Sequence, residues 1–207
     1  MKLKQVLLGL AMIFGFAGAA GATVMDFPVP GNNMVDVGPV YEANGFRLVT
    51  DATFFVVGVN DYAYSGSPSL VVADPVQFPA TGATTTLTRT DGGLFALNRI
   101  DLSEDLFAFY TFPVTFSGIS ATNGMVQQDF WLDGMVGAET FSFDSTLFTD
   151  LVSVSWQQGD MSNFTSYHFA NVDVTPLNGP AVPEPVTVLL LASGVLGLVG
   201  MYKRRKN

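Results

Sequence analysis

The stretch Leu106 to Ser117, LFAFYTFPVTFS, decides the fold. Leu106, Ala108, Tyr110, Phe112, Val114 and Phe116 take every second position, and Thr111, Pro113, Thr115 and Ser117 fall between them. Successive side chains of a strand point to opposite faces, so this spacing predicts a strand with one buried face and one solvated face. Working outward, Val152, Val154 and Trp156 alternate with Ser153, Ser155 and Gln157 in the same way. Further strands are predicted at 46–50, 53–59, 69–73, 84–89, 94–102, 126–132, 139–144 and 164–174. Turn chemistry separates them at Asn44-Gly45, Asn60-Asp61, Ser65-Gly66, Asp91-Gly92-Gly93, Asn123-Gly124, Asp133-Gly134 and Gln158-Gly159. No part of this region holds a 3.6-residue apolar period, and lysine, a good helix former, is absent from it. About ten short strands at this spacing predict a mainly β chain folded as a two-sheet, jelly-roll-like β-sandwich.

The two ends read differently. Residues 1–22 have Lys2 and Lys4, an apolar core from Val6 to Phe16 and small residues ending in Ala20-Gly21-Ala22, the pattern of a signal peptide cut by signal peptidase after Ala22. At the other end, the run from Val186 to Tyr202 carries no charge over 17 residues and ends in Lys203, Arg204, Arg205 and Lys206. As a helix it reaches most of the way across a hydrocarbon core of roughly 30 Å. The basic cluster keeps its own end in the cytoplasm, which places the rest of the chain outside. Pro183 and Pro185 bound the helix and hold Glu184 in an extended segment at the membrane surface. The chain thus divides into a signal peptide (1–22), a β-sandwich domain (23–174), a linker (175–182) and a tail (183–207) with one transmembrane helix at 186–202.

Pro183-Glu184-Pro185, the apolar span and the basic end together resemble the PEP-CTERM sorting signal of Gram-negative bacteria that make extracellular polysaccharide. The resemblance covers all three parts of the tail in order. It implies recognition by an exosortase, a multi-pass transpeptidase-like membrane enzyme, with cutting at or near the motif. The alternative is an ordinary single-span anchor preceded by a chance tripeptide. A looser resemblance links the domain to the sandwich domains that often precede this tail. It rests on Tyr41, Glu42, Gly45 and Phe46, on Gly92-Gly93-Leu94-Phe95-Ala96-Leu97 with Ile100-Asp101-Leu102, on Phe130-Trp131-Leu132-Asp133-Gly134, and on Phe169-Ala170-Asn171-Val172. Such domains look like carbohydrate-binding jelly rolls. Some hold a structural calcium between an acidic residue near the first strand and an Asp-Asn pair in the last. Ala170 stands where that Asp would be, so no calcium and no other metal or cofactor is assigned, and Glu42 reads as a solvated turn residue.

Charge narrows the partners. The net charge is −9, but six of the nine basic residues sit in the two ends. Between Thr23 and Val182 only Arg47, Arg89 and Arg99 face 17 acidic residues, giving 3 − 17 = −14. Such a domain is repelled by phosphate backbones, which argues against nucleic acid as a partner. With no cysteine the exported domain depends on packing alone, and thiol catalysis and thiolate metal sites are excluded. The single histidine, His168, has no sequence partner for a triad or a zinc site. No nucleophile elbow, zinc-protease helix or phosphate loop is present, so no catalytic residues are assigned.

One surface candidate remains. If Asp129-Phe130-Trp131-Leu132-Asp133 is a strand, Phe130 and Leu132 face the core while Asp129, Trp131 and Asp133 share the outer face. An exposed indole between hydrogen-bond acceptors can stack on a sugar ring and hold its hydroxyls, unless a neighbouring loop covers it. Trp156, in register with Val152 and Val154, belongs to the core. The leading expectation is therefore an exported, transiently anchored sandwich protein with a structural or interaction role. An exosortase-like system would sort it to the cell envelope or the extracellular polysaccharide matrix. The alternative is a carbohydrate-binding module, with a secreted hydrolase behind both.

Overall fold

Alternating apolar and polar side chains form strands through most of the chain. The computed structural model describes residues 21–27, 34–58, 68–73, 82–104, 110–135, 137–159 and 165–177. The strands are β1 (Thr23–Met25), β2 (Val35–Ala43), β3 (Phe46–Val57), β4 (Ser69–Ala73), β5 (Thr84–Arg89), β6 (Phe95–Glu104), β7 (Phe112–Ser120), β8 (Gly124–Leu132), β9 (Ala138–Ser142), β10 (Leu151–Gln157) and β11 (Tyr167–Pro176). No helix occurs among the described residues, and none there is long and apolar enough to cross a membrane. The signal peptide lies outside the described residues up to position 20, and so does the whole tail 183–207. The chain is mainly β, as its periodicity predicts.

All the pairings are antiparallel and run in the order β8-β7-β10-β5-β3-β4-β11-β6-β9, with β2 beside β3 and β1 beside β11. The sheet folds over because β3 serves two neighbours: Phe46–Thr50 pairs with β5, and Thr53–Val57 pairs with β4. At the other side Leu151 of β10 pairs with Phe95 of β6, joining the layers again. Ring contacts, most of them between strands that share no hydrogen bonds, mark the interior of the sandwich. Trp156 of β10 meets Phe169 of β11 edge-on at 5.1 Å between centroids. Phe46 of β3 meets Phe95 of β6 at 5.6 Å. Phe116 of β7 touches Trp156 and, beyond β9, Phe143, each at 5.1 Å. Edge-to-face pairs of this kind add to the burial of area itself.

Several local expectations change. Tyr110, placed on the buried side of its alternation, is 64% exposed. It sits at a bend just before β7, where the pleat that would turn it inward has not begun. Leu106 and Ala108 lie outside the described residues. Val152, expected to share the buried face with Val154 and Trp156, is 46% exposed. The register shifts between Leu151 and Ser153, so Leu151 takes the core position instead. Residues 46–50 and 53–59, read as two strands, form one bent strand ending at Val57. The last strand continues past residue 174, since Thr175 and Pro176 pair with Ala96 and Phe95 and the Leu177 amide donates to the Leu94 carbonyl. β1 and β2 were not legible in the sequence.

Gly118 of β7 is required by packing. A Cβ there would lie 2.9 Å from methyls of both Leu151 and Val126. Across the same layer Phe116 is fully buried between Phe130, Phe143 and Trp156. Phe116→Ala removes a ring whose neighbours belong to both layers and cannot collapse into the gap. The expected loss is about 3–5 kcal/mol, read as a lower urea midpoint with unchanged slope.

Candidate functional site

β8 forms one margin of the main strand order, and its outer face is open. Its inward positions are filled by Val126, Phe130 and Leu132, all buried. Gln128, also inward, ties the strand to the segment after β9: its amide donates to the Ser142 carbonyl at 3.3 Å and its carbonyl accepts from the Asp144 amide at 2.9 Å. The outward positions are Met125, Gln127, Asp129 and Trp131. Trp131 is 61% exposed, and no described loop covers its indole. Directly across from it stands Pro113 of β7, and across from Asp129 stands Thr115, whose hydroxyl donates to Asp129 Oδ1 at 2.7 Å. That bond fixes the Asp129 carboxylate and leaves its second oxygen available as an acceptor.

The same face continues into a cleft over β7, β10 and β5. Its volume is about 440 Å³, and Pro113, Thr115, Ser117, Ser155, Gln157 and Thr84 line it. These residues are neighbours because Ser155 pairs with both Ser117 and Thr86, and Gln157 with Thr84. The outward side chains of this lining are hydroxyl and amide groups without formal charge, with Phe112, Val114, Trp156 and Tyr167 also contributing, and through Pro113 the cleft borders the indole of Trp131. Such a surface can donate and accept hydrogen bonds in many directions while offering one flat apolar ring.

Asp133 does not join this set. β8 ends at Leu132, so the alternation that would align Asp133 with Trp131 stops one residue short. Its Oδ1 accepts from the Met135 amide at 2.8 Å, and its carboxylate stands beside Glu104 and Glu139. Sequence reasoning missed that cluster because residues 104, 133 and 139 come from three separate elements. The calcium position implied by the resemblance does not fit either. Glu42 is held 3.5 Å from Arg47, Ala170 supplies no oxygen from its side chain, and Asn171 donates to Asp101 at 2.6 Å. Trp156 is buried, as its register predicts. The sorting residues Pro183, Glu184 and Pro185 and the basic end Lys203, Arg204, Arg205 and Lys206 lie outside the described residues.

His168 meets Ser69, with Nδ1 and the hydroxyl oxygen 2.6 Å apart. Both residues are buried to within 1%. A substrate cannot reach this pair, and no carboxylate orients the ring among the described residues. Burial holds the imidazole down at about 4, below its ordinary 6.5.

No protein-family model matches the sequence, and no curated protein matches it. Solved structures similar to the chain include a family 29 carbohydrate-binding module, at 11% identity and a TM-score of 0.41, covering 79% of this chain and 99% of that one. A variant of the module CBM29-2 complexed with cellulohexaose aligns at 12% identity and a TM-score of 0.39, covering 69% of this chain and 91% of that one. A family 11 carbohydrate-binding module from Clostridium thermocellum, in complex with a β-1,3-1,4-mixed-linked tetrasaccharide, aligns at 11% and 0.33, covering 76% and 96%. Likenesses this distant carry no conclusion about ligand or activity.

The buried imidazole has a measurable consequence. Its folded-state value lies below its unfolded one, so the unfolded chain takes up the proton first as pH falls. Stability that is fully present above pH 6.5 is lost progressively toward pH 4, by about 3 kcal/mol. His168→Gln lacks this titration. The stability difference between wild type and variant, measured by denaturant at pH 7 and at pH 4, should shrink by about that amount.

Proposed function

We propose that the domain binds a neutral glycan through the outer face of β8, β7, β10 and β5, as the globular part of an exported, tail-sorted protein. The observation that carries the reading is Trp131, a solvent-facing indole in register with Pro113 and beside the Thr115-anchored carboxylate of Asp129. A pyranose ring has an apolar face of C–H groups and a rim of hydroxyls. The first suits the indole, and the second suits the Thr, Ser and Gln side chains of the adjoining cleft. The charge of −14 between Thr23 and Val182 favours an uncharged polysaccharide over an acidic one. In this reading a jelly-roll-like sandwich displays the face, and no group at it needs to act as a nucleophile or base.

The tail supports the second half of the proposal through its sequence. The signal peptide sends the chain through the inner membrane, and the span 186–202 halts it with the domain in the periplasm. An exosortase-like enzyme then acts at Pro183-Glu184-Pro185, which frees or transfers the domain to the envelope or the polysaccharide matrix. A glycan-binding face and a route to a glycan-rich matrix are compatible halves of one role.

Each half has its own test. Titration of the purified chain with neutral oligosaccharides should perturb tryptophan fluorescence, and Trp131→Ala should weaken binding by at least about tenfold. An unchanged response in that variant removes the glycan reading. In a host with the sorting enzyme, wild type should appear as a shortened product, whereas Pro183→Ala/Pro185→Ala should remain full length in the membrane. Identical size and location for both would reject processing.

A further inference from the structure

We propose that Glu104, Asp133 and Glu139 form a calcium site that clamps the end of β6 to the segment joining β8 and β9. Glu104 is the last residue of β6, Asp133 follows the last residue of β8, and Glu139 is the second residue of β9, paired with Leu102. One carboxylate oxygen from each lies within 4.8 Å of the other two. This location is separate from the Glu42 and Ala170-Asn171 positions rejected above, and the inference does not depend on the glycan reading.

Two buried oxygens point to a missing partner. Glu104 is fully buried; its Oε1 accepts from the Gly134 amide at 2.8 Å, but its Oε2 has no hydrogen-bond partner among the described residues. Glu139 Oε1 is likewise buried and unpartnered there. A buried carboxylate oxygen left unpaired costs several kcal/mol in general terms, and two such atoms beside a third carboxylate compound the repulsion. Burial foremost, eased by the Gly134 amide and reinforced by Glu139 and Asp133, pushes the Glu104 carboxyl up. Burial and then the Asp133 carboxylate push Glu139 up as well, eased by the Asp133 backbone amide.

The domain has no cation of its own to spare for these charges. Arg47 is held by Glu42, Arg89 by Asp91, and Arg99 by Asp173, while His168 is sealed against Ser69. Among the described residues no cation is left for these charges, and an ion from solution can supply the counter-charge. Three carboxylates with no nitrogen or sulfur donor suit a hard cation, which sets calcium ahead of zinc or copper. Opposed ligands in a calcium shell stand about 4.6–5.2 Å apart, and a donor set confined to 4.8 Å fits inside it. Asp133 is exposed, so water can complete the 6–8 oxygens that calcium takes.

The test uses the full chain in detergent, stripped with a chelator and then melted with and without calcium chloride. With free calcium a hundredfold above its Kd, Tm should rise by about 5–10 °C. Glu139→Gln and Asp133→Asn, at partly or fully exposed positions, should lose that rise while keeping the wild-type far-ultraviolet circular dichroism. Calorimetric titration should show one fewer calcium bound per chain in each variant. A wild-type chain indifferent to calcium overturns the proposal. Variants that retain the full rise overturn it too, by placing the ion elsewhere.

Discussion

The contact between Trp156 and Phe169 is the joint on which the two layers depend. With no cysteine in the chain, nothing covalent holds the layers together, so side chains meeting in the interior must do it. Phe169 is the hub: Phe27, Phe54 and Trp156 all present rings to it nearly edge-on. These partners come from the segment after β1, from β3 and from β10, so one residue of β11 gathers most of the sandwich. A second group around Phe116 and Phe143 does the same at the β8 end. Close-packed rings leave β7 and β8 a single face to commit inward, with their polar alternates outside, whereas β4 and most of β11 are buried on both faces.

That constraint creates both surfaces of interest. Because Phe130 and Leu132 are fixed in the core, Asp129 and Trp131 have no choice but to face solvent. Where β8 stops, the alternation stops with it. Asp133 escapes the outer face and turns toward two glutamates brought there by β6 and β9. A stretch of five residues thus supplies an aromatic platform at one position and a carboxylate cluster two residues on, and the strand terminus is what divides them.

Much of this was legible in the sequence. The period of two identified β7, β8 and β10 and assigned Phe112, Val114, Phe116 and Trp156 to the interior, because each is flanked by polar residues that have no reason to be inside. The outward setting of Asp129 and Trp131 followed from the same rule. Tyr110 and Val152 were misplaced because a bend and a bulge change the phase without changing composition. β2 was overlooked because Gly38 and Pro39 interrupt its pattern and both of its faces are partly exposed. The carboxylate cluster was out of reach in principle. Glu104 is separated from its partners by about 30 residues and looks, locally, like any acidic residue at the end of a strand.

The pairing of β1 with β11 brings Thr23 opposite Val174. β11 is also flanked by β4 and β6, so it is an inner strand that the chain makes last. A polypeptide synthesised N-terminus first therefore has a gap along its middle until β11 has been made. Pairings between strands far apart in sequence dominate the sandwich, and such wiring favours slow folding. Until β11 arrives, β4 and β6 have no shared neighbour, and along the strand order the two halves stay apart.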